Sequence, residues 1–383
     1  MVDDIEIQEI DTLIATAKEA QAEYEANGSQ EVFDLACQAV GWALMQPKNN
    51  NELSELAVME TGLGNVRDKI QKNHNKTLGL LRDIKNVKSF GHIYDDNEKG
   101  LSIYFRPKGV VAAIVPSTNP LATPTNNIIN ALKTGNSIII APSPKGAGPF
   151  SILLKHIRKN LEDAGINPNL VQMVPTPPSK SKTKRLMELA DLLVVTGSQN
   201  NVLAGYSSGT PALGVGQGNV VTILDETADL NDAAKKIVKS KTFDNATSCS
   251  SENSVIAVRS IYEEALVALK SAGGLVLDED ETKRVINLHW QNGKMNTALL
   301  AQNIEVILDK TGLAHRADEN TRFLILPTTK VGPSAVISGE KMSQFLSLYM
   351  AEDFDDAVNL AIKIPNIFSN FLVADVGLYD RLK

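Results

Sequence analysis

The sequence predicts an α/β chain: a doubly wound parallel sheet, followed by a second α/β domain. Three observations lead there. Val110-Val-Ala-Ala-Ile-Val115 is a short, continuous apolar run, the pattern of a strand buried on both faces. From it, strand-like and helix-like stretches alternate to about residue 215, an order satisfied by parallel strands joined through helical crossovers. The alternation resumes at Val220, and 383 residues suffice for two domains with separate cores.

Ile10, Leu13, Ile14 and Ala17 recur at helical spacing, as do Val32, Leu35, Ala36 and Ala39, so residues 5 to about 47 read as two helices. Gly28-Ser-Gln separates them, with Ser29 placed as N-cap of the second. A third helix is expected over 51–61, closed by Gly62, and Arg67 opens a fourth whose basic face reads as solvated. Asn97-Glu-Lys-Gly100 reads as a turn between extended segments. Beyond Val115 the expected series is a helix to about Leu132, strand 137–141, helix 150–164, strand 170–174, helix 182–190, strand 192–196, a helix from Gln199, and Ala212-Leu-Gly-Val. The second half gives strand 220–224, helix 230–240, strand 254–258, and helices 261–270 and 279–290. A strand near Ala298, helix 304–311, strands 322–326 and 346–350, and helix 353–363 complete it.

Composition excludes several functions. Net charge is −7 and most basic residues are interspersed with acids, which leaves no electrostatic footprint for nucleic acid. The one dense run, Lys180-Ser-Lys-Thr-Lys-Arg185, reads as a solvated helix start. No apolar run reaches bilayer length and no signal peptide is recognisable, so the chain reads as cytoplasmic, without a membrane partner. Five scattered histidines give no metal-ligand spacing, and no metal is expected. Two cysteines make no disulfide framework; Cys37 lies in an apolar helical pattern and reads as core.

Cys249 is different. It sits in Ala246-Thr-Ser-Cys-Ser-Ser251, a run of small polar residues between a helical pattern and a strand. A thiol on such a turn is accessible, small neighbours admit a substrate, and hydroxyl and amide donors favour the reactive thiolate. Two strand ends suggest a ligand, since open α/β sheets bind at the carboxyl ends of their strands. Thr196-Gly-Ser198 leads from a strand into a helix, whose free amides and dipole suit a pyrophosphate, although an ordinary N-capped turn has the same residues. After the preceding strands come Pro116-Ser117 and Ser143-Pro-Lys145. Where a carboxylate would select an unphosphorylated ribose there is none, and Lys145 leans toward a 2′-phosphate. Gly214 and Gly216, in Gly214-Val-Gly-Gln-Gly-Asn219, read as a crossing between domains where backbone can approach a ligand.

Taken together, Glu60-Thr-Gly-Leu-Gly64, Val115-Pro-Ser-Thr-Asn-Pro120, Ala204-Gly-Tyr-Ser-Ser-Gly209, Gly214 to Asn219, Asp225-Glu-Thr-Ala-Asp229, and Lys241-Thr-Phe-Asp-Asn245 through Cys249 and Glu252 resemble the CoA-acylating aldehyde dehydrogenases. The resemblance runs from the first helix to about Lys363. Within that family Asp244 to Glu252, Thr196-Gly-Ser-Gln199 and Pro142-Ser-Pro-Lys-Gly146 look most like the subgroup that acts on sulfoacetaldehyde. The resemblance implies an aldehyde-dehydrogenase-like fold with a Rossmann-type sheet. Residues 1–213 would form the N-terminal helices and dinucleotide-binding domain, and 214–383 the catalytic domain. It implies oxidation of a small aldehyde with NADP or NAD, CoA as co-substrate, and a homo-oligomer, dimer or tetramer. Cys249 would be the nucleophile, with its own amide and Thr118 or Asn119 serving the oxyanion. Pro116, Ser117, Ser143, Lys145, Thr196, Gly197, Ser198, Gly214 and Gly216 would hold the nucleotide, and Glu340 its nicotinamide ribose.

Three departures bear on this. Hydrolysing relatives carry a water-activating glutamate near the position of Gly214; residues 213–219 hold no carboxylate, which favours a thiol as acceptor over water. Gln344 replaces a usual proline. After Lys363 the sequence leaves the family pattern, and the family continues past the position of Lys383, so the catalytic domain is expected to be incomplete at its C-terminus. The competing readings are a cofactor-binding homologue with impaired turnover, an acylating enzyme for acetaldehyde or succinate semialdehyde, and a reductase of acyl phosphates.

Overall fold

The computed structural model describes residues 2–365 and the backbone of Leu372–Val373. The chain divides into two compact units: Met1–Gly62 with Val66–Gly216, and Leu63–Asn65 with Gln217–Lys383.

The first unit opens with four helices, α1 (Val2–Ala26), α2 (Gln30–Met45), α3 (Pro47–Thr61) and α4 (Val66–Ile84). Ser29 caps α2 by accepting from the Val32 amide, and Gly62 ends α3 in the left-handed conformation. Lys69 and Lys72 on α4 are buried, not solvated as their pattern suggests. An antiparallel hairpin follows, β1 (Gly91–Asp96) with β2 (Leu101–Phe105), joined through Asn97–Gly100. Then come β3 (Val110–Val115), α5 (Ala122–Lys133), β4 (Ser137–Pro142), α6 (Ala147–Asp163), β5 (Val171–Met173), α7 (Lys180–Leu189), β6 (Leu192–Thr196), α8 (Gln199–Tyr206) and β7 (Ala212–Val215). The five strands β3 to β7 form a parallel sheet in the order β5-β4-β3-β6-β7. Both faces are covered. Val111, Ala113 and Val115 point into a core with Val40, Ile128 and Phe150, and Val110, Ala112 and Ile114 into another with Ile10, Ile14 and Leu186. The unbroken apolar run is thus period-2 alternation into two cores. Cys37 lies in the first core, its Sγ 3.4 Å from the Ile129 carbonyl, and burial pushes its thiol up to about 12.

The second unit contains β8 (Val220–Leu224), α9 (Leu230–Thr242), β9 (Glu252–Val258), α10 (Tyr262–Ser271), β10 (Gly274–Val276), α11 (Glu279–His289), β11 (Trp290–Gln291), β12 (Lys294–Met295), α12 (Ile304–Thr311), β13 (Phe323–Pro327), β14 (Phe345–Ala351), α13 (Phe354–Lys363) and β15 (Leu372–Val373). Six strands form a parallel sheet in the order β10-β13-β14-β9-β8-β15. The cysteine turn joins α9 to β9, near the centre of that order. Asp278 and Glu281 form a capping box that starts α11.

One expectation fails here. There is no strand near Ala298; Asn296 Oδ1 accepts from the Ala298 amide at 3.0 Å and turns the chain. The local β structure is instead the hairpin of β11 and β12, closed by Asn292 and Gly293 at φ 51° and 73°, the backbone a two-residue loop demands. Strand β10 was not anticipated, because three residues led by glycine carry little β pattern. The stretch after Lys363 that leaves the family pattern lies outside the described residues, apart from Ile364, Pro365 and the Leu372–Val373 backbone.

Candidate active site

In the first unit, the strand order reverses direction between β3 and β6, and a doubly wound sheet opens a crevice at such a point. A cavity of about 880 Å³ lies there, at the carboxyl ends of β3, β4 and β6. Pro116 and Ser117 enter it after β3, Ser143 after β4, and Gly197 and Ser198 after β6. Ser198 caps α8 by accepting from the Asn201 amide, which leaves the Gln199 and Asn200 amides outside the helical ladder at the positive end of the helix. Lys180, Thr183 and Lys184 on α7 line the same cavity. The run expected to be a plain solvated helix start therefore presents two cations to the crevice, while its third lysine, Lys182, is buried against the Pro175 and Pro177 carbonyls and pairs with Glu9. A crevice with helix amides and cations fits a phosphorylated nucleotide.

Lys145, Thr196, Gly214 and Gly216, also expected to hold nucleotide, are not among the residues that line this cavity. Thr196 ends β6, and Lys145 is exposed one residue past Pro144. Thr118 and Asn119 are half-buried in the turn after Ser117. Gly214 and Gly216 face α8: a Cβ on Gly214 would stand 2.7 Å from Val202, and one on Gly216 2.8 Å from the Gln199 amide. In this unit their lack of side chain serves close packing.

In the second unit, Cys249 is exposed on the turn between α9 and β9. The backbone that leads to it is unusual. Asp244, Asn245 and Ala246 have φ of 48°, 54° and 63°, three successive left-handed residues with side chains, all buried. That conformation costs an L-residue roughly 1–2 kcal/mol, less where a short polar side chain bonds locally. Such strain persists only where the surroundings over-determine it, and here they do. Asp244 accepts from the Asn65 amide at 2.9 Å and from the Thr247 hydroxyl at 2.6 Å. Asn245 donates to the Ala301 carbonyl and to Asn303 Oδ1, and accepts from Gln344 Nε2 at 3.2 Å. Gln344, the residue where the family usually has proline, is therefore a support of the cysteine turn. On the other side, a Cβ on Gly218 would come within 2.8 Å of the Cys249 carbonyl oxygen, so only glycine lets that backbone pass. Ser248 and Ser250 hydroxyls meet at 2.9 Å beside the cysteine. The arrangement fixes an exposed sulfur on a rigid, buried pedestal.

Glu340 is half-buried in the loop before β14, and burial pushes its carboxyl up to about 7 against the opposing pull of Lys241 and Lys341. Both lysines are fully buried. Sequence reasoning named Cys249, Glu340 and the strand ends as candidates. It missed the left-handed run, for which the Asp-Asn pair is the available signal, and the cations of α7.

Residues 2–277 match the aldehyde dehydrogenase family model. The chain is 49% identical to a sulfoacetaldehyde dehydrogenase (acylating) of Cupriavidus necator, over 90% of this chain and 70% of that one. Its structure is similar to that of an acetylating aldehyde dehydrogenase from Geobacillus thermoglucosidasius, with a TM-score of 0.90 and 33% identity over 96% of this chain and 80% of that one. It is also similar to a Rhodopseudomonas palustris propionaldehyde dehydrogenase determined with bound CoA and an acylated cysteine, with a TM-score of 0.81 and 28% identity over 93% and 80% of the two chains.

Proposed function

The chain belongs to the aldehyde dehydrogenase family, among its CoA-acylating members, and we propose that it converts sulfoacetaldehyde, in preference to other small aldehydes, to the acyl-CoA, with NADP favoured over NAD. The observation that carries the reading is the exposed Cys249 thiol on a strained turn held by the Asp244 and Asn245 hydrogen bonds. A thiolate there attacks the aldehyde carbon, and the carbonyl electron pair moves to oxygen as an alkoxide. The Cys249 backbone amide supplies a donor to that oxygen. When bound, the nicotinamide nucleotide supplies the acceptor for the hydride that leaves the former aldehyde carbon. Cys249 is then held as a thioester. The CoA thiolate adds to it, the carbon–sulfur bond to Cys249 breaks, and the enzyme thiolate is restored. Residues 213–219 offer no carboxylate to activate water, and a thiol, with a free pKa of about 8.5, needs less assistance than water does.

The nucleotide part of the proposal rests on the first-unit cavity: Ser198 and the α8 amides for the pyrophosphate, with Ser117, Ser143 and Gly197 around it. Glu340 would be the residue to accept from the hydroxyls of the nicotinamide ribose. The lean to NADP is supported by Lys180 and Lys184 together with Lys145, and by the absence of an acid in residues 141–146.

The test is reduced-nucleotide formation from sulfoacetaldehyde, acetaldehyde and succinate semialdehyde, each with and without CoA and with each nucleotide. The expected result is CoA-dependent turnover that is fastest with sulfoacetaldehyde and NADP. Equal rates without CoA, yielding free acid, would refute the acylating reading.

A further inference from the structure

Five ionisable side chains from separate elements of the second unit act on one another in its interior: Lys241 in the last turn of α9, Glu252 at the start of β9, His289 at the end of α11, and Glu340 with Lys341 before β14. Lys241, Lys341 and His289 have no exposed surface, and Glu252 has 6%. Lys341 donates to the Gly339 carbonyl at 3.0 Å, and its own carbonyl meets His289 Nε2 at 2.8 Å. Lys241 is different: its ammonium has no hydrogen-bond partner among the described residues.

A buried ammonium without hydrogen bonds destabilises a fold, and an apolar side chain of similar size would serve packing better. Such a group is retained where its charge acts on a neighbour with a task. The two carboxylates that act on Lys241 are Glu252 and Glu340. Glu252 is shut inside and has Ser240 as a donor. Glu340 is the member of the cluster that is only half-buried, so it alone can present a carboxylate outward.

We propose that Lys241 is a positioning residue, whose buried charge keeps the Glu340 carboxylate ionised to accept the hydroxyls of a nucleotide ribose. This rests on the ribose reading of Glu340 given above. Burial drives Glu340 toward its neutral form, in which one oxygen would donate and compete with a diol. Lys241 opposes that first and Lys341 second. His289 is held neutral by burial and adds no charge, and Glu252 acts on Lys241 and not on Lys341.

The test is a carboxyl titration by NMR of the full chain carrying carbon-13-labelled glutamate, with Glu340→Gln used to assign the signal. Lys241→Met should move the Glu340 midpoint up from about 7 by roughly one pH unit. It should also weaken NADP binding at pH 7 about tenfold, read by protein fluorescence, with the deficit shrinking above pH 9. Lys241→Gln carries the same expectations should the Met variant not fold. An unmoved Glu340 midpoint overturns the proposal. A binding loss equal at every pH overturns it too, since that is the mark of a packing role. If Glu340→Gln binds NADP as tightly as the parent, the ribose reading fails, while the carboxyl titration still decides whether Lys241 governs Glu340.

Discussion

Ala246 is the least suited of the three left-handed residues before Cys249. Asp244 and Asn245 recover part of the conformational cost through their side-chain bonds, whereas a methyl group gains nothing. Ala246→Gly should therefore stabilise the chain by roughly 1 kcal/mol, seen as a higher denaturant midpoint. An unchanged or lower midpoint would mean that the turn is not strained. At the nucleophile, Cys249→Ala should abolish CoA-dependent turnover and the acyl adduct seen by mass spectrometry, and should leave NADP binding intact. Residual turnover would remove the cysteine from the mechanism. Cys249 was legible in the sequence because small polar neighbours are a compositional signal. The pedestal beneath it was not, because φ values are set by tertiary partners such as Asn65, Asn303 and Gln344, far away in sequence.

At the scale of elements, the glycines from Gly214 to Asn219 read in sequence as places where backbone approaches a ligand; the close neighbours of Gly214, Gly216 and Gly218 are instead the chain's own residues. Which neighbour each glycine meets was not legible. Gly218 meets the cysteine turn, so Gly218→Ala should displace Cys249 and lower kcat about a hundredfold, since misplacement near 1 Å has that effect. A kcat within twofold of the parent would show that the turn yields freely. Helix α7 offers the second test at this scale. The Lys180→Ala, Lys184→Ala double variant should weaken NADP at least tenfold and NAD little, as expected when charge-assisted bonds to a phosphate are lost. Equal loss for both nucleotides would refute the 2′-phosphate assignment. Sequence reasoning judged these lysines solvated because a basic helix start ordinarily is; what changes their meaning is the cavity formed at the ends of β3, β4 and β6, which no local pattern shows. The hairpin of β11 and β12 was readable in principle, since Gln291-Asn-Gly-Lys294 is a strong two-residue turn signal.

For the whole molecule, the parallel sheets were the most legible feature: strands buried on both faces write themselves as apolar runs, and β3, β4, β8 and β14 fall close to their expected limits. Buried charge was the least legible, because nothing in a local pattern marks Lys241 or Lys341 as interior. That charge gives the stability a definite pH dependence. Lys241 is lowered to about 7, so the unfolded chain binds the extra proton between pH 7 and the ordinary lysine range, and stability rises with pH across that window. Lys341 acts in the same direction. Glu340, raised to about 7, acts in the opposite sense and His289, lowered to about 4, in the same sense, but both do so below pH 7 and add little above it. The melting temperature should climb by several degrees from pH 7 to 9.5, and Lys241→Met should flatten that climb; a parent chain with no climb would contradict the burial of these ammonium groups. A practical consequence follows from the chain's other cysteine. With Cys37 sealed among apolar side chains and its proton held tightly, a thiol-specific dye added to native protein should consume one equivalent per chain. The stoichiometry of labelling thus counts competent molecules in any preparation, and a second equivalent marks the fraction that has lost its interior.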